Sequence, residues 1–347
     1  MGAMDWDKAE KLLGHAIETG MIPGAAAAAG IGDQVIWKTV QGWAQIEGGR
    51  RALREDTRFD LASLTKVMAT LPSILLLASQ GDVSLQDPVS RYLPGFRDTR
   101  WDQVSLRHLL THSGGLVPHR NYYETLQGLD AYVTAIAAEP WDAAPGTQVS
   151  YSDLGFITLG AVVEAVSGTT LDRFVQEAVF GPLGIADAGY RPQDDLRPTC
   201  AATEMVEGAV LCGVVHDENA RAIGGVAGHA GLFGTLDAVS RYAMAWTASN
   251  SVLSPAARRA ATRVYTQDLN GRRGLGWALP GDGYDVGGDF WPETGAGHTG
   301  FTGTSLQFDP ASGIWAVLLT NRVHFGRGTN INPLRRRFHN IVTTLLG

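Results

Sequence analysis

The hydrophobic period of this chain switches twice along its length, and those switches constrain its fold more than any other feature. Ala9, Leu12, Leu13, Ala16 and Ile17 recur at i, i+3, i+4, i+7 and i+8, which predicts a helix stopped by Gly20. Two strand-like runs follow at 24–30 and 34–44, and Gly32-Asp33 between them is a hairpin signal. The other end mirrors this, with strands at 304–308 and 314–320 around a turn at 309–313. A last helix then opens with Pro333 just inside its start, where a missing N–H does no harm. From Leu64 to about Gly184 the period is helical, over 67–80, 106–111, 129–138, 154–166 and 171–179. The expected fold class is therefore α/β (α+β): an antiparallel sheet flanked by terminal helices, with a mostly helical region inserted. Residues 1–62 and 236–347 would build the sheet region and 63–235 the helical one.

At 347 residues the chain suits one large domain or two intimate ones. Its 44% hydrophobic and 18% charged residues are those of a globular protein, not a disordered one. A net charge of −7 gives no reason to expect a nucleic-acid partner, which would want a basic face. Cys200 and Cys212 are too few for a disulfide framework and have no metal-site companions. Their segment reads as a hairpin turning near Glu207-Gly208, which pairs Cys212 with about Thr203 rather than with Cys200, so both are expected as free thiols. The most apolar run, 67–78, is shorter than the ~20 residues a membrane span needs. No secretory signal is legible, which leans toward the cytoplasm. Met1-Gly2-Ala3-Met4 has the look of an expression remnant, so a removed export signal stays compatible and the compartment stays open.

Three segments carry chemistry. In Phe59-Asp60-Leu61-Ala62-Ser63-Leu64-Thr65-Lys66, Ser63 and Lys66 stand three apart at a helix start and share one face. The helix N-terminus favours a neutral, basic lysine and an oxyanion. A serine hydroxyl is a weak nucleophile until a base takes its proton. Alone, the pair reads rather as an ordinary capping serine followed by a surface lysine. The second segment, Val149-Ser150-Tyr151-Ser152-Asp153, puts a tyrosine in a turn before a helix, where its hydroxyl can relay a proton or merely pack. The third, Gly297-His298-Thr299-Gly300-Phe301-Thr302-Gly303, opens the strand that ends at Phe308. Its glycines would let a substrate backbone approach and an N–H enter an oxyanion hole.

Taken in order, the three resemble the motif set of serine β-lactamases and penicillin-binding proteins. Tyrosine in the second motif and histidine in the third look like class C β-lactamases, their D-Ala-D-Ala carboxypeptidase relatives and family VIII esterases. The connectors Arg107-His108-Leu109-Leu110-Thr111-His112-Ser113-Gly114-Gly115-Leu116 and Asp87-Pro88-Val89 match as well. The resemblance runs over about residues 5–345 and implies the serine β-lactamase/DD-peptidase fold, one catalytic unit with its site between the two regions. It implies Ser63 as acylated nucleophile, Lys66 as base, Tyr151 as proton relay, and the Ser63 and Phe301 N–H groups as the oxyanion hole. Substrate contacts would come from His298, Thr299, Gly300 and Asp153. Asp153 departs from the usual Asn: an ionised carboxylate only accepts hydrogen bonds, so it is expected chiefly to hold Lys66.

Val215-His216-Asp217-Glu218-Asn219-Ala220 and the glycine-rich run through His229 resemble the branch that holds muramyl-peptide amidases. Without a second His at helical spacing, His216, Asp217 and Glu218 do not read as a metal site, and they are expected to hydrogen-bond the loop walling the cleft. His229 reads as structural. His112 beside Ser113 lacks a G-x-S-x-G elbow. No cofactor or metal is expected. The implied partners are small ester, amide or β-lactam substrates, with no nucleic acid and no membrane span. The functional readings are a carboxylesterase, which is favoured, a peptidoglycan-directed carboxypeptidase or amidase, and a penicillin-binding sensor that deacylates slowly. An imidazole titrating near ~6.5 at His298 would be largely neutral at pH 7–8 and favour uncharged esters.

Overall fold

The computed structural model describes residues 5–97 and 100–347. The opening tetrapeptide, Met1 to Met4, lies outside the described residues. Helix α1 (Asp7–Glu18) leads into the hairpin of β1 (Gly24–Ile31) and β2 (Gln34–Gln45), then the short strands β3 (Arg51–Ala52) and β4 (Phe59–Asp60). The helical region holds α2 (Leu71–Gln80), α3 (Leu106–Leu110), α4 (Leu129–Ala138), α5 (Asp153–Ser167) and α6 (Leu171–Val175). Next come β5 (Ala188–Tyr190), the hairpin β6 (Met205–Val206) and β7 (Ala209–Val210), α7 (Glu218–Ala222) and β8 (Leu232–Gly234). Helices α8 (Leu236–Thr247) and α9 (Pro255–Thr262) precede β9 (Ala296–Thr299), β10 (Ser305–Phe308), β11 (Ile314–Thr320) and α10 (Asn332–Leu346).

The two chain ends meet in one antiparallel sheet of order β3-β2-β1-β11-β10-β9. Period-2 alternation explains why it is covered on both faces. Ala25, Ala27, Ala29, Ile314, Ala316 and Leu318 pack with Leu13 of α1 and Phe338 of α10. Ala26, Ala28, Trp315, Val317 and Leu319 point the other way, into the core that Trp246 of α8 shares with Trp277. Small side chains on the central strand β1 let the layers on both faces close in.

Three expectations need correcting. The third motif does not open one continuous strand to Phe308. It forms edge strand β9 and then a turn with Gly303 at φ 120° before β10. The helices expected over 67–80 and 171–179 are not regular: five-residue π-helical stretches, Lys66–Thr70 and Gln176–Phe180, lie against α2 and α6. Such stretches break the 3.6 period and often sit at functional places. The edge of β9 is also not open throughout, because Ala278 pairs with Gly297 through two 3.0 Å backbone bonds. In the β6–β7 hairpin Met205 stands opposite Val210, the register that sets Cys212 opposite Thr203. No single helix among the described residues is long and apolar enough to cross a membrane.

Candidate active site

Strand β4 delivers the chain to a tight turn in which Ala62 adopts φ 46°, a left-handed conformation rare for a residue with a Cβ. The buried Asp60 carboxylate holds that turn: Oδ1 accepts the Ala62 N–H at 2.8 Å and Oδ2 the His216 N–H at 2.7 Å. Ser63 follows, half-buried, on the first turn of the helical stretch. Gly300 packs directly on this turn, since a Cβ there would lie 2.4 Å from the Leu61 carbonyl oxygen and 2.1 Å from Thr304 Oγ1. The third motif's Gly300 is thus required by the contact between two protein segments, where the sequence suggested room for a substrate. Among the described residues, the N–H groups of Ser63 and Phe301 have no hydrogen-bond acceptor.

Lys66 is fully buried, and its ammonium spends all three donors. Nζ lies 2.9 Å from Ser63 Oγ, 3.0 Å from the His229 carbonyl oxygen and 2.7 Å from Asp153 Oδ1. Burial, the largest single influence, works to lower the Lys66 pKa, but Asp153 and Tyr151 together reverse it and hold the lysine above its ordinary value. The Asp153 carboxylate at 2.7 Å thus works against the neutral lysine that the helix N-terminus favours, and holds Lys66 as its departure from Asn implied. Burial likewise acts to raise Asp153, and Lys66, with His119, keeps it far below the usual carboxylate range. His119 Nδ1 stands 3.4 Å from Asp153 Oδ2, and that contact raises the imidazole pKa.

Tyr151 comes from the turn that ends at the N-cap Ser152 of α5. Its ring lies 5.0 Å from Lys66 Nζ, with its hydroxyl beside Ser63 and Lys66. Burial raises its pKa against the pull of Lys66. His112 does not pair with Ser113. Its Nδ1 accepts the Ser152 N–H at 3.1 Å and its ring packs 4.4 Å from that of Tyr151, while Ser113 Oγ bonds Thr111. His298 points inward from β9, 5.9 Å ring to ring from Tyr151. Its Nδ1–H donates to the Thr299 carbonyl at 2.8 Å, which leaves Nε2 a buried acceptor without a partner. Burial, reinforced by Lys66 and Arg273, pushes its pKa down to about 3.

Ser63, Lys66, Tyr151, Asp153, His298, Thr299 and Phe301 thus surround one cleft, which Gly300 shapes from below. A cavity of about 140 Å³ on one side of Ser63 is lined by Arg273, Tyr284, His298 and Thr299, and one of about 290 Å³ on the other by His119, Asp153, Asp217 and Glu218. Phe301 borders both. The 216–218 segment does wall the cleft. Asp217 caps α7 through the Ala220 N–H and holds the His229 ring, Nε2 to Oδ1, at 2.8 Å. Sequence reasoning missed His119, Arg273 and Tyr284, which lie outside the three motifs and carry no local signal.

A serine bonded to a lysine three residues on, with a tyrosine beside both and free N–H groups across the cleft, defines a serine hydrolase site of the Ser-x-x-Lys class. The chain belongs to the Beta-lactamase family, whose family model matches residues 9–340. It is 31% identical to the N-acetylmuramyl-L-alanine amidase of Bacillus subtilis (strain 168), covering 91% of this chain and 81% of that protein. It is 30% identical to a provisionally assigned D-alanyl-D-alanine carboxypeptidase of Escherichia coli (strain K12), over 84% and 76%. Among solved structures it resembles EstCE1, a hydrolase with promiscuous acyltransferase activity. The TM-score is 0.78 at 25% identity, over 97% of this chain and 98% of that one.

Proposed function

We propose that the protein hydrolyses carboxylic esters through an acyl-enzyme on Ser63, with Lys66 and Tyr151 handling the proton. The observation that carries this reading is the 2.9 Å contact of Lys66 Nζ with Ser63 Oγ. Ser63 Oγ attacks the carbonyl carbon while its proton passes to the fraction of Lys66 that is neutral. The carbonyl oxygen gains the negative charge and is met by the Ser63 and Phe301 N–H groups, donors aimed where that charge develops. Collapse breaks the bond to the departing oxygen, which takes the proton through Tyr151. Water then attacks the acyl-serine, gives its proton to the same pair, and Ser63 leaves as the hydroxyl.

Esters are favoured over β-lactams because the third motif supplies no charge: His298 is neutral at any working pH. A second reading, hydrolysis of a muramyl-peptide amide, is supported by the larger cavity, whose His119, Asp217 and Glu218 suit a substrate rich in hydrogen-bonding groups. The amidase named among the relatives agrees with it. Intact-mass spectrometry after incubation with short acyl esters, muramyl peptides and a penicillin separates these readings by the adduct formed. Ser63→Ala is expected to form none and to hydrolyse nothing. Fluorophosphonate labelling of any residue other than Ser63 would refute the assignment.

A further inference from the structure

The Gly300–Phe301 peptide faces two ways. Its N–H is the Phe301 donor left free toward the cleft. Its carbonyl oxygen is buried behind the turn, where it accepts the Gly303 N–H at 3.1 Å and Arg335 Nη2 at 3.0 Å. The same Nη2 donates to the Thr304 carbonyl at 2.7 Å, and that carbonyl also takes the Gly300 N–H at 2.8 Å. One guanidinium nitrogen from α10 therefore grips both ends of the turn that carries Phe301. Thr302 and Thr304 tie this turn to the nucleophile turn through the carbonyls of Asp60 and Leu61.

Arg335 holds this place without a counter-ion. It is 5% exposed, its Nη1 donates to Asn332 Oδ1 at 2.8 Å, and its Nε has no acceptor. Burial, and after it the charge of Arg322, lowers its pKa, and no carboxylate acts to raise it. Arg322 is buried too, donates from Nη1 to the carbonyls of Arg327 and Thr329, and lies 4.7 Å over the Phe301 ring. Two buried cations thus stand behind the oxyanion donor, and among the described residues neither forms an ion pair. Burying a charge unpaired is unfavourable. These charges meet their complement when negative charge develops at the far side of the Gly300–Phe301 peptide. A hydrogen bond accepted by an amide carbonyl polarises the amide and makes its own N–H a stronger donor.

We infer that Arg335 is a positioning residue for acyl transfer, whose charge polarises the Gly300–Phe301 peptide and strengthens the Phe301 N–H as an oxyanion donor. It neither touches the substrate nor exchanges a proton. The guanidinium stands about 8 Å from the oxyanion, the length of one peptide group and two hydrogen bonds. Through an effective dielectric of ~20, a unit charge at that distance favours the tetrahedral intermediate by about 10–30-fold. Outright loss of an oxyanion donor costs about 10²–10³-fold, so a charge acting one peptide away should cost less. The inference rests on the acyl-enzyme reading above and deepens it.

The test measures kcat and KM for a chromogenic acetate ester, and the carbonyl stretch of ¹³C-labelled acetyl-Ser63, formed on rapid mixing, by difference infrared spectroscopy. Arg335→Gln keeps a donor and removes the charge. It should lower kcat by about 10–30-fold with KM nearly unchanged, because acylation and deacylation pass through the same oxyanion. Its acyl carbonyl stretch should move to higher frequency, since a weaker donor polarises that bond less. Arg335→Lys restores the charge and should recover most of kcat at pH 7. Relative to the wild type it should then lose kcat as the pH rises, because a buried lysine neutralises and a guanidinium does not. An unchanged kcat in Arg335→Gln overturns the assignment. A loss of equal size in both variants with an unmoved stretch overturns it too, leaving Arg335 as a structural clamp. If Arg335→Gln does not fold, the lysine variant decides: a kcat ratio to the wild type that is flat from pH 7 to 10 refutes the role. A wild-type protein that never forms acyl-Ser63 would overturn the hydrolase reading itself, and this role with it.

Discussion

Asp153→Asn isolates the charge that separates this site from a lysine poised as a base. Lys66 Nζ and Asp153 Oδ1 are 2.7 Å apart, with the lysine fully buried and the carboxylate side chain 19% exposed. Two unit charges about 4 Å apart in a medium of effective dielectric ~20 interact by about 4 kcal/mol. At 1.36 kcal/mol per unit, that is about 3 pKa units on Lys66. The cavity beside Asp153 admits water and trims the figure to about 1–3 units. Burial, the strongest influence on Lys66, is then opposed by Tyr151 alone and lowers its pKa further. Because a raised pKa keeps Lys66 charged until the pH climbs past it, a rate that needs the neutral amine rises tenfold per pH unit along the acid limb. The asparagine variant should therefore shift that limb of kcat/KM downward by about 1–3 units and gain activity at pH 7 despite a weaker hold on the lysine. The assay is kcat/KM for a chromogenic acetate ester from pH 5 to 10. A limb that stays in place while activity falls would show that Lys66 works as a permanent cation and refute the base assignment. The same pair stabilises the fold between the unfolded values of about 3.9 and 10.4. That contribution is lost as the pH falls through Asp153's depressed value or rises through Lys66's raised one. The Tm gap between the wild type and Asp153→Asn should accordingly narrow in strong acid.

Lys66→Ala should leave a folded protein with activity about 10²–10⁴-fold lower, the range for losing a positioned base, as read with a good leaving group. Tyr151→Phe keeps the ring on His112 and Tyr284 but removes the hydroxyl. Its loss of kcat should grow as the leaving group becomes poorer, and a loss that is the same for all leaving groups would make Tyr151 structural. Imidazole NMR should find His298 neutral and protonated on Nδ1 from pH 8 down to about 4, since its pKa is pushed down to about 3. An inflection near pH 6.5 would contradict the burial argument. Gly300→Ala should reduce both activity and Tm, because its Cβ meets the Leu61 carbonyl at 2.4 Å. Normal activity in that variant would show that the turn under Ser63 tolerates displacement.

The terminal strands and the longer helices were legible because each is an apolar run of fitting length or carries a helical period. β11 buries both faces and α4 shows helical spacing, so apolar runs of the right length mark them. The π-helical stretch at Lys66–Thr70 was not, since an apolar run carries no signal of how its backbone bonds are offset. Nor was the break between β9 and β10. Glycine and threonine there suit a strand as well as a turn, and the turn is imposed by Leu61 and Thr304 arriving from elsewhere. Strands of two or three residues, such as β4 and β8, are too short to show a period. They nonetheless set the nucleophile turn, since Asp60 pairs with Phe233.

Charge state was the least legible layer of the site, and the reason is physical. Ser63 and Lys66 meet through local helical geometry, so three residues of spacing suffice to place them. The protonation of Lys66, by contrast, is decided by Asp153, 87 positions along by subtraction of their residue numbers, and by the depth at which both lie. An ordinary imidazole pKa for His298 was the natural expectation from composition. Burial among Lys66 and Arg273 removes its charge altogether, and the same burial leaves Arg273 with unspent donors. Read as a motif, His-Thr-Gly at 298–300 suggests a cleft that merely lacks the cation carried by its lysine-bearing relatives. Read as a packed site, the cleft also holds the buried Arg273 from another segment, against Asp282 and the two tyrosine rings. Substrate preference in such a site follows from where charges are buried and paired, and a motif reports only which residue occupies one of those places.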